Sequence, residues 1–217
     1  MRTKIQHIIT LTLLLGTLVS CGQSAKKQKE MEEKADKNTN LAVATFGTGC
    51  FWCTEAMFIE LKGVEKVVSG YSGGFIDNPT YEDVCTKKTG HIECAKISYD
   101  PKQISYVDLL EAFFRCHDAT SKDKQGNDSG PQYRSAIFYY DDEQKALAEK
   151  AIKELDASGA YSKPIVTEVL KMTKFYAAED YHQNYYANNP YQGYCSFVIA
   201  PKLDKFRKVF KEKLKGH

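Results

Sequence analysis

Net charge is nearly absent from this chain: 30 Lys and Arg against 28 Asp and Glu leave a formal +2 over 217 residues. That balance gives no global electrostatic case for binding nucleic acid. Long apolar runs are scarce as well. The run from Ile8 to Val19 is too short to span a bilayer as a stable anchor, and after Arg2 and Lys4 it has the pattern of a secretory signal. Apolar side chains then almost vanish from Gln23 to about Asn40, a Lys-, Glu- and Asn-rich stretch that cannot bury enough surface to order itself. Seven cysteines are present, but their scattered spacing and the ample size of the remaining domain exclude a disulfide scaffold.

The segment Leu18-Val19-Ser20-Cys21-Gly22 resembles a bacterial lipobox. That resemblance implies cleavage before Cys21 and acylation of its thiol and new amine, which together hold a protein to a membrane. The expected organisation is a lipoprotein-type signal peptide over 1–20, a lipid-anchored tether over 21–40 and one catalytic domain over 41–217. The mature protein is then expected outside the cytoplasm. The Lys-rich stretch from Lys202 to Lys215 reads as a helix with a solvated face.

Within the domain, Leu41 to Phe46 reads as a strand, and a helix opening near Cys50 carries Met57, Phe58 and Leu61 at helical spacing. Val64 to Ser69 and the alternating run Glu93 to Tyr99 are further strands, with turn chemistry at Tyr71-Ser72-Gly73-Gly74 and a short helical turn over 81–85 between them. Ser105 with Asp108 approximates a capping box ahead of a helix bearing Val107, Leu110 and Phe114 on one face. A long polar loop follows, then a strand from Arg134 to Tyr140, a helix turning Leu147, Ala151 and Leu155 inward, and a fifth strand over Ile165 to Leu170. The order strand, helix, strand, strand, helix, strand predicts an α+β fold, a two-layer ferredoxin-like βαββαβ sandwich with a C-terminal extension.

The chemistry concentrates in Gly49-Cys50-Phe51-Trp52-Cys53-Thr54-Glu55. A thiol between a strand and a helix start meets the positive end of the helix dipole, which favours its thiolate. Cysteines usually pack in cores. A second thiol three residues on, within disulfide reach across one turn, and a glycine permitting close backbone approach point instead to a reactive sulfur. Glu93 shares strand phase with Ala95, Ile97 and Tyr99. A carboxyl on that apolar face keeps its proton at neutral pH and can donate it.

Five motifs in order, Gly49-Cys50-Phe51-Trp52, Asn78-Pro79-Thr80-Tyr81, Gly90-His91-Ile92-Glu93, Gln125-Gly126-Asn127-Asp128 and Gln132-Tyr133-Arg134-Ser135, resemble the A-type peptide methionine sulfoxide reductases from about Val43 to Phe210. The resemblance implies that Cys50 attacks the sulfoxide sulfur while Glu93 protonates or polarises its oxygen, with the hydroxyls of Tyr81 and Tyr133 binding that oxygen. It implies a methyl pocket from Phe51 and Trp52, a substrate-binding or pocket-ordering role for Asp128, and no site role for Arg134. The products are methionine, from the S epimer, and a sulfenic acid on Cys50. Cys53 and Cys195 both match resolving positions in the family; a first-turn bridge from Cys50 to Cys53 needs less chain movement. No metal or bound organic cofactor is implied, and turnover calls for an exported thioredoxin-like or membrane electron donor. Ala119 stands where the family usually has Pro. Cys85, Cys94 and Cys116 have no assigned role, and His117 and His182 read as structural.

Two other readings compete. A thioredoxin-like disulfide oxidoreductase shares the cysteine pair at a helix start, but the strand order and Glu93 oppose it. A zinc site from Cys50, Cys53, His91 and Cys94 has ligand-like spacing, but parity places His91 and Cys94 on opposite faces.

Overall fold

The computed structural model describes residues 41–216. The expected signal peptide, lipid site at Cys21 and tether all fall outside the described residues. The first half of the domain alternates strands and helices: β1 (Ala42–Thr48), α1 (Phe51–Phe58), β2 (Val64–Ser72), α2 (Tyr81–Cys85), β3 (Ile92–Tyr99) and α3 (Tyr106–Cys116). A two-residue hairpin follows, β4 (Lys124–Gln125) with β5 (Asp128–Ser129), and then β6 (Ser135–Tyr139), α4 (Asp142–Ser158), β7 (Glu168–Lys171) and β8 (Phe175–Ala177). The C-terminal extension holds α5 (Tyr185–Asn188), a π-helical turn over Cys195–Ile199 and α6 (Ala200–Val209).

The large sheet runs β7-β6-β1-β3-β2-β8. Its inner four strands pair antiparallel, the ferredoxin-like arrangement expected from the element order. β8 adds antiparallel to β2 at one edge and β7 adds parallel to β6 at the other. One face carries Phe46, Ala95 and Ile97 against Met57 and Phe58 of α1 and Leu109 and Phe113 of α3. The opposite face is covered by a smaller cluster of Ile92, Cys94, Ala136 and Phe138 under Leu170, Met172 and Phe175.

Local chemistry explains the element limits. Ser105 and Asp108 form the reciprocal capping box of α3, and Gly159, at φ 68°, closes α4 in the left-handed conformation that glycine tolerates. Several expectations need correction. Tyr71 and Ser72 belong to β2, paired with Glu93 and Ile92, so the turn begins only at Gly73. Leu110 and Phe114 are buried as expected, but Val107 faces outward and α3 buries Tyr106, Leu109 and Phe113 beside them. The fifth strand starts at Glu168 rather than Ile165.

The Lys-rich C-terminus is not simply a solvated face. α6 ends at Val209, sinks Leu203 and Phe206 into the core beside α1, and turns Lys202 inward. Arg207 forks onto Glu60, while Lys213 donates to Asp108 at 2.6 Å and Glu111 at 3.0 Å. Burial of each large apolar side chain contributes about 1.5–3 kcal/mol, so the extension is docked mainly by Ile199, Leu203, Phe206 and Phe210.

Candidate active site

Gly49 sets the entry to the site. Its φ is +95°, and a Cβ there would stand 2.6 Å from the side chain of Gln125. Only glycine admits that turn, which delivers Cys50 to the N-cap of α1. The Cys50 carbonyl takes the first helical hydrogen bonds, from Cys53 N at 3.1 Å and Thr54 N at 3.3 Å. The free N–H of Phe51 donates to Glu93 Oε2 at 3.2 Å. A helix N-terminus and a mid-sheet carboxyl are thereby locked together within one residue of the thiol.

Glu93 is 2% exposed, on the β3 face that parity assigns it. Burial pushes its carboxyl well above the usual range, the Cys50 sulfur adds to this, and the Phe51 N–H opposes it more weakly. Its surroundings therefore favour the neutral, protonated form.

The two thiols of the first turn behave differently from the simple helix-dipole expectation. Burial lifts Cys50 well above the ordinary thiol range and Cys53 reinforces that shift, whereas the Tyr194 hydroxyl and the Cys53 backbone act in the other direction. Cys53 is held down, first by a hydrogen bond from Cys50 and then, against its own burial, by the Lys202 ammonium. Within the pair, the hydrogen bond from Cys50 and the nearby ammonium favour the proton on Cys50 and ease its loss from Cys53.

Aromatic rings close the pocket. Phe51 lies 5.7 Å from Tyr71 and 5.1 Å from His182, centroid to centroid. Trp52 stacks on Tyr185 at 3.7 Å with 6° between planes and donates its Nε1–H to His182 Nδ1 at 3.1 Å. Tyr81 enters from the first turn of α2, its backbone N–H held by Glu179 Oε1 at 2.8 Å. Burial raises the Tyr81 and Tyr133 phenols, so these hydroxyls stay protonated around the Glu93 carboxyl. Asp128, on β5, accepts from Tyr194 Oη at 2.6 Å.

Cys50, Cys53, Glu93, Phe51, Trp52, Tyr81, Asp128 and Tyr133 are thus gathered in one place. Cys195, at the start of the π-helical turn, is fully buried in the core cluster that includes Cys50 and Cys53, and burial raises its thiol. Arg134 stays outside the reacting groups, pairing with Glu168 at 2.8 Å and the Gly90 carbonyl at 3.2 Å. His117 is structural: both ring nitrogens are bonded, at 2.7 Å each, and burial lowers its pKa to about 4. His182 sits among Phe51, Trp52 and Tyr81, its Nδ1 accepting from Trp52 and its Nε2 3.9 Å from Glu179 Oε2.

The zinc reading fails on geometry. The His91 ring faces Gly74 N and the Ile76 carbonyl, and Cys94 packs on the sheet face opposite the core that holds Cys50 and Cys53.

Tyr71, Glu179, Tyr185 and Tyr194 line the site without a sequence signal of their own. The extension that brings most of them is pinned by Gln183, whose amide exchanges two 3.0 Å hydrogen bonds with the backbone of Ser69 as a further strand would. Glu55 holds the next residue, accepting from Asn184 N at 3.0 Å.

The peptide methionine sulfoxide reductase family model matches residues 42–214. The chain is 52% identical over 182 residues to a peptide methionine sulfoxide reductase MsrA of Polynucleobacter asymbioticus, covering 83% of this chain and 96% of the relative. It is 54% identical over 173 residues to that of Thermus thermophilus, covering 80% and 97%. Among solved structures, methionine sulfoxide reductase A of Corynebacterium diphtheriae superposes with a TM-score of 0.64 at 36% identity, over 72% of this chain and 78% of that one. Mxr1 of Saccharomyces cerevisiae in its reduced form gives 0.64 at 34% identity, over 71% and 88%. These matches span the sheet, the buried carboxyl and both helix-start thiols, and the strand order excludes a thioredoxin-like oxidoreductase: the chain belongs to the peptide methionine sulfoxide reductases, oxidoreductases that reduce methionine sulfoxide.

Proposed function

We propose that this enzyme reduces the S epimer of free and protein-bound methionine sulfoxide, with Cys50 as nucleophile and Glu93 as acid, and that it repairs exported proteins from a lipid anchor on Cys21. The observation that carries the chemical part is the 3.2 Å contact from Phe51 N to the buried, protonated Glu93 carboxyl at the very start of the helix capped by Cys50.

A sulfoxide sulfur is a poor electrophile until its oxygen gains positive charge. Glu93 gives its proton to that oxygen as the Cys50 sulfur closes on the sulfoxide sulfur, and it recovers a proton from the Cys50 thiol. The transient bond between the two sulfurs and the substrate S–O bond then break as a Cys50 S–O bond forms, so the substrate leaves as a thioether reduced by two electrons and the oxygen remains on Cys50 as a sulfenic acid. Tyr81 and Tyr133 donate to the oxygen, Phe51 and Trp52 receive the methyl group, and Asp128 orders the pocket through Tyr194.

Cys53 then attacks the Cys50 sulfur. The S–S bond forms, the S–O bond breaks, and water leaves with a proton drawn through Glu93. A thioredoxin-like dithiol outside the cytoplasm returns the two electrons by thiol–disulfide exchange. Cys195 is the alternative resolving thiol, supported by its place in the same buried cluster.

The test is single-turnover reduction of each sulfoxide epimer by the reduced domain, with peptide mapping of the disulfide. Methionine from the S epimer alone, with a Cys50–Cys53 link, is the expected result. A Cys50–Cys195 link would move the resolving role, and equal reduction of both epimers would sink the stereochemical assignment.

A further inference from the structure

Lys202 of α6 reaches across from the C-terminal extension and ends with Nζ 3.9 Å from Cys53 Sγ. It is half-buried, and among the described residues no carboxylate lies within ion-pair distance of it. An ammonium placed against a buried sulfur, with no carboxylate to neutralise it, has its strongest interaction with the thiolate form of that sulfur. We infer that Lys202 is a positioning residue for the second half of the reaction, holding Cys53 as the thiolate that attacks the Cys50 sulfenic acid. This rests on the reading of Cys53 as the resolving thiol.

The groups facing Cys53 come from several elements. Cys50 at the N-cap of α1 and the Tyr194 hydroxyl ahead of the π-helical turn lower its pKa together with Lys202, while Asp128 on β5 and burial raise it. Lys202 is the one cation of this set. It is not among the groups that shift Glu93. Glu93 would then supply the proton to the oxygen in both half-reactions, while the fixed cation acts in disulfide closure alone. In closure, Cys53 attacks as the thiolate, the S–S bond forms, the S–O bond of the sulfenic acid breaks, and the departing oxygen leaves as water with a proton supplied through Glu93.

The experiment compares wild type, Lys202→Met, Lys202→Arg and Cys53→Ser in single turnovers across pH, following methionine release, sulfenic acid trapped by a carbon nucleophile, and the mapped disulfide. With the cation gone, the midpoint of closure against pH moves up by about one unit. Below both midpoints K202M closes roughly three- to fourfold more slowly, because a tenfold loss of thiolate is partly offset by the greater nucleophilicity of a more basic sulfur. Above both midpoints the order reverses and K202M closes faster, a crossing that a merely structural role would not produce. Methionine release stays within about twofold of wild type, and K202R restores the wild-type profile. Identical closure profiles in wild type and K202M, or a parallel loss of methionine release and closure at every pH, would overturn the inference. Wild-type closure in Cys53→Ser would instead overturn the resolving role on which it rests.

Discussion

Glu93 is the residue on which the site turns, and its burial makes two measurable demands. Glu93→Gln keeps the shape and the contact to Phe51 N but has no proton to give, so methionine formation in a single turnover should fall by roughly 10²–10⁴-fold. The same carboxyl links stability to pH. Its folded pKa lies above the ordinary 4.5, so between those values the folded state keeps a proton that the unfolded chain has released. The stability Glu93 contributes is complete below 4.5 and is lost as pH rises through the folded value. Denaturant titrations at pH 5 and pH 8 should show this alkaline loss in wild type and a smaller one in E93Q.

Residues with a strong local signature are legible in the sequence itself. Cys50 and Cys53 stand out by spacing, and Glu93 by strand parity, since Ala95 and Ile97 on the same face are fully buried. Tyr194 and Lys202 carry no such signature. Each reaches the thiols through the extension, whose course is decided by Gln183 on Ser69 and Leu203 in the core rather than by any repeat in the sequence. The protonated state of Cys50 also departs from the sequence expectation, because a helix dipole is visible in a sequence and the depth of burial is not.

Elements divide in the same way. The inner four strands and three helices follow from hydrophobic period and caps, whereas β8 is three residues long and Tyr71-Ser72-Gly73-Gly74 looks like a turn until β8 pairs with it. The junction between β1 and α1 is the most constrained of these elements. Gly49→Ala forces a side chain into φ +95° and against Gln125, whose amide already bridges the Asp118 backbone at 2.6 and 3.2 Å. The expected cost is about 1–3 kcal/mol, read as a melting temperature lower by roughly 2–10 °C for a domain of this size. Activity should fall further than stability, about 10²-fold at a temperature where the variant is folded, because the shift is delivered directly to Cys50.

At the scale of the whole molecule, catalysis and address are assigned to different stretches of chain. The reaction groups all lie between Gly49 and Lys202, and the proposed lipid site is Cys21. Cys21→Ala should leave methionine sulfoxide reduction unchanged in vitro while moving the protein from the membrane to the soluble fraction and abolishing lipid labelling. Residues 41–217 expressed alone should match the full chain in single-turnover rate. Membrane association that survives C21A would remove the anchor from the proposal without touching the chemistry.

The chain has one tryptophan, and it is the ring next to the nucleophile, stacked on Tyr185 and hydrogen-bonded to His182. All of the protein's indole emission therefore originates inside the pocket. Binding of substrate beside that ring, the change of charge on a neighbouring sulfur and the formation of a disulfide within one helical turn each alter its quenching. Stopped-flow fluorescence of the unlabelled enzyme would follow every stage of turnover from a single intrinsic optical reporter.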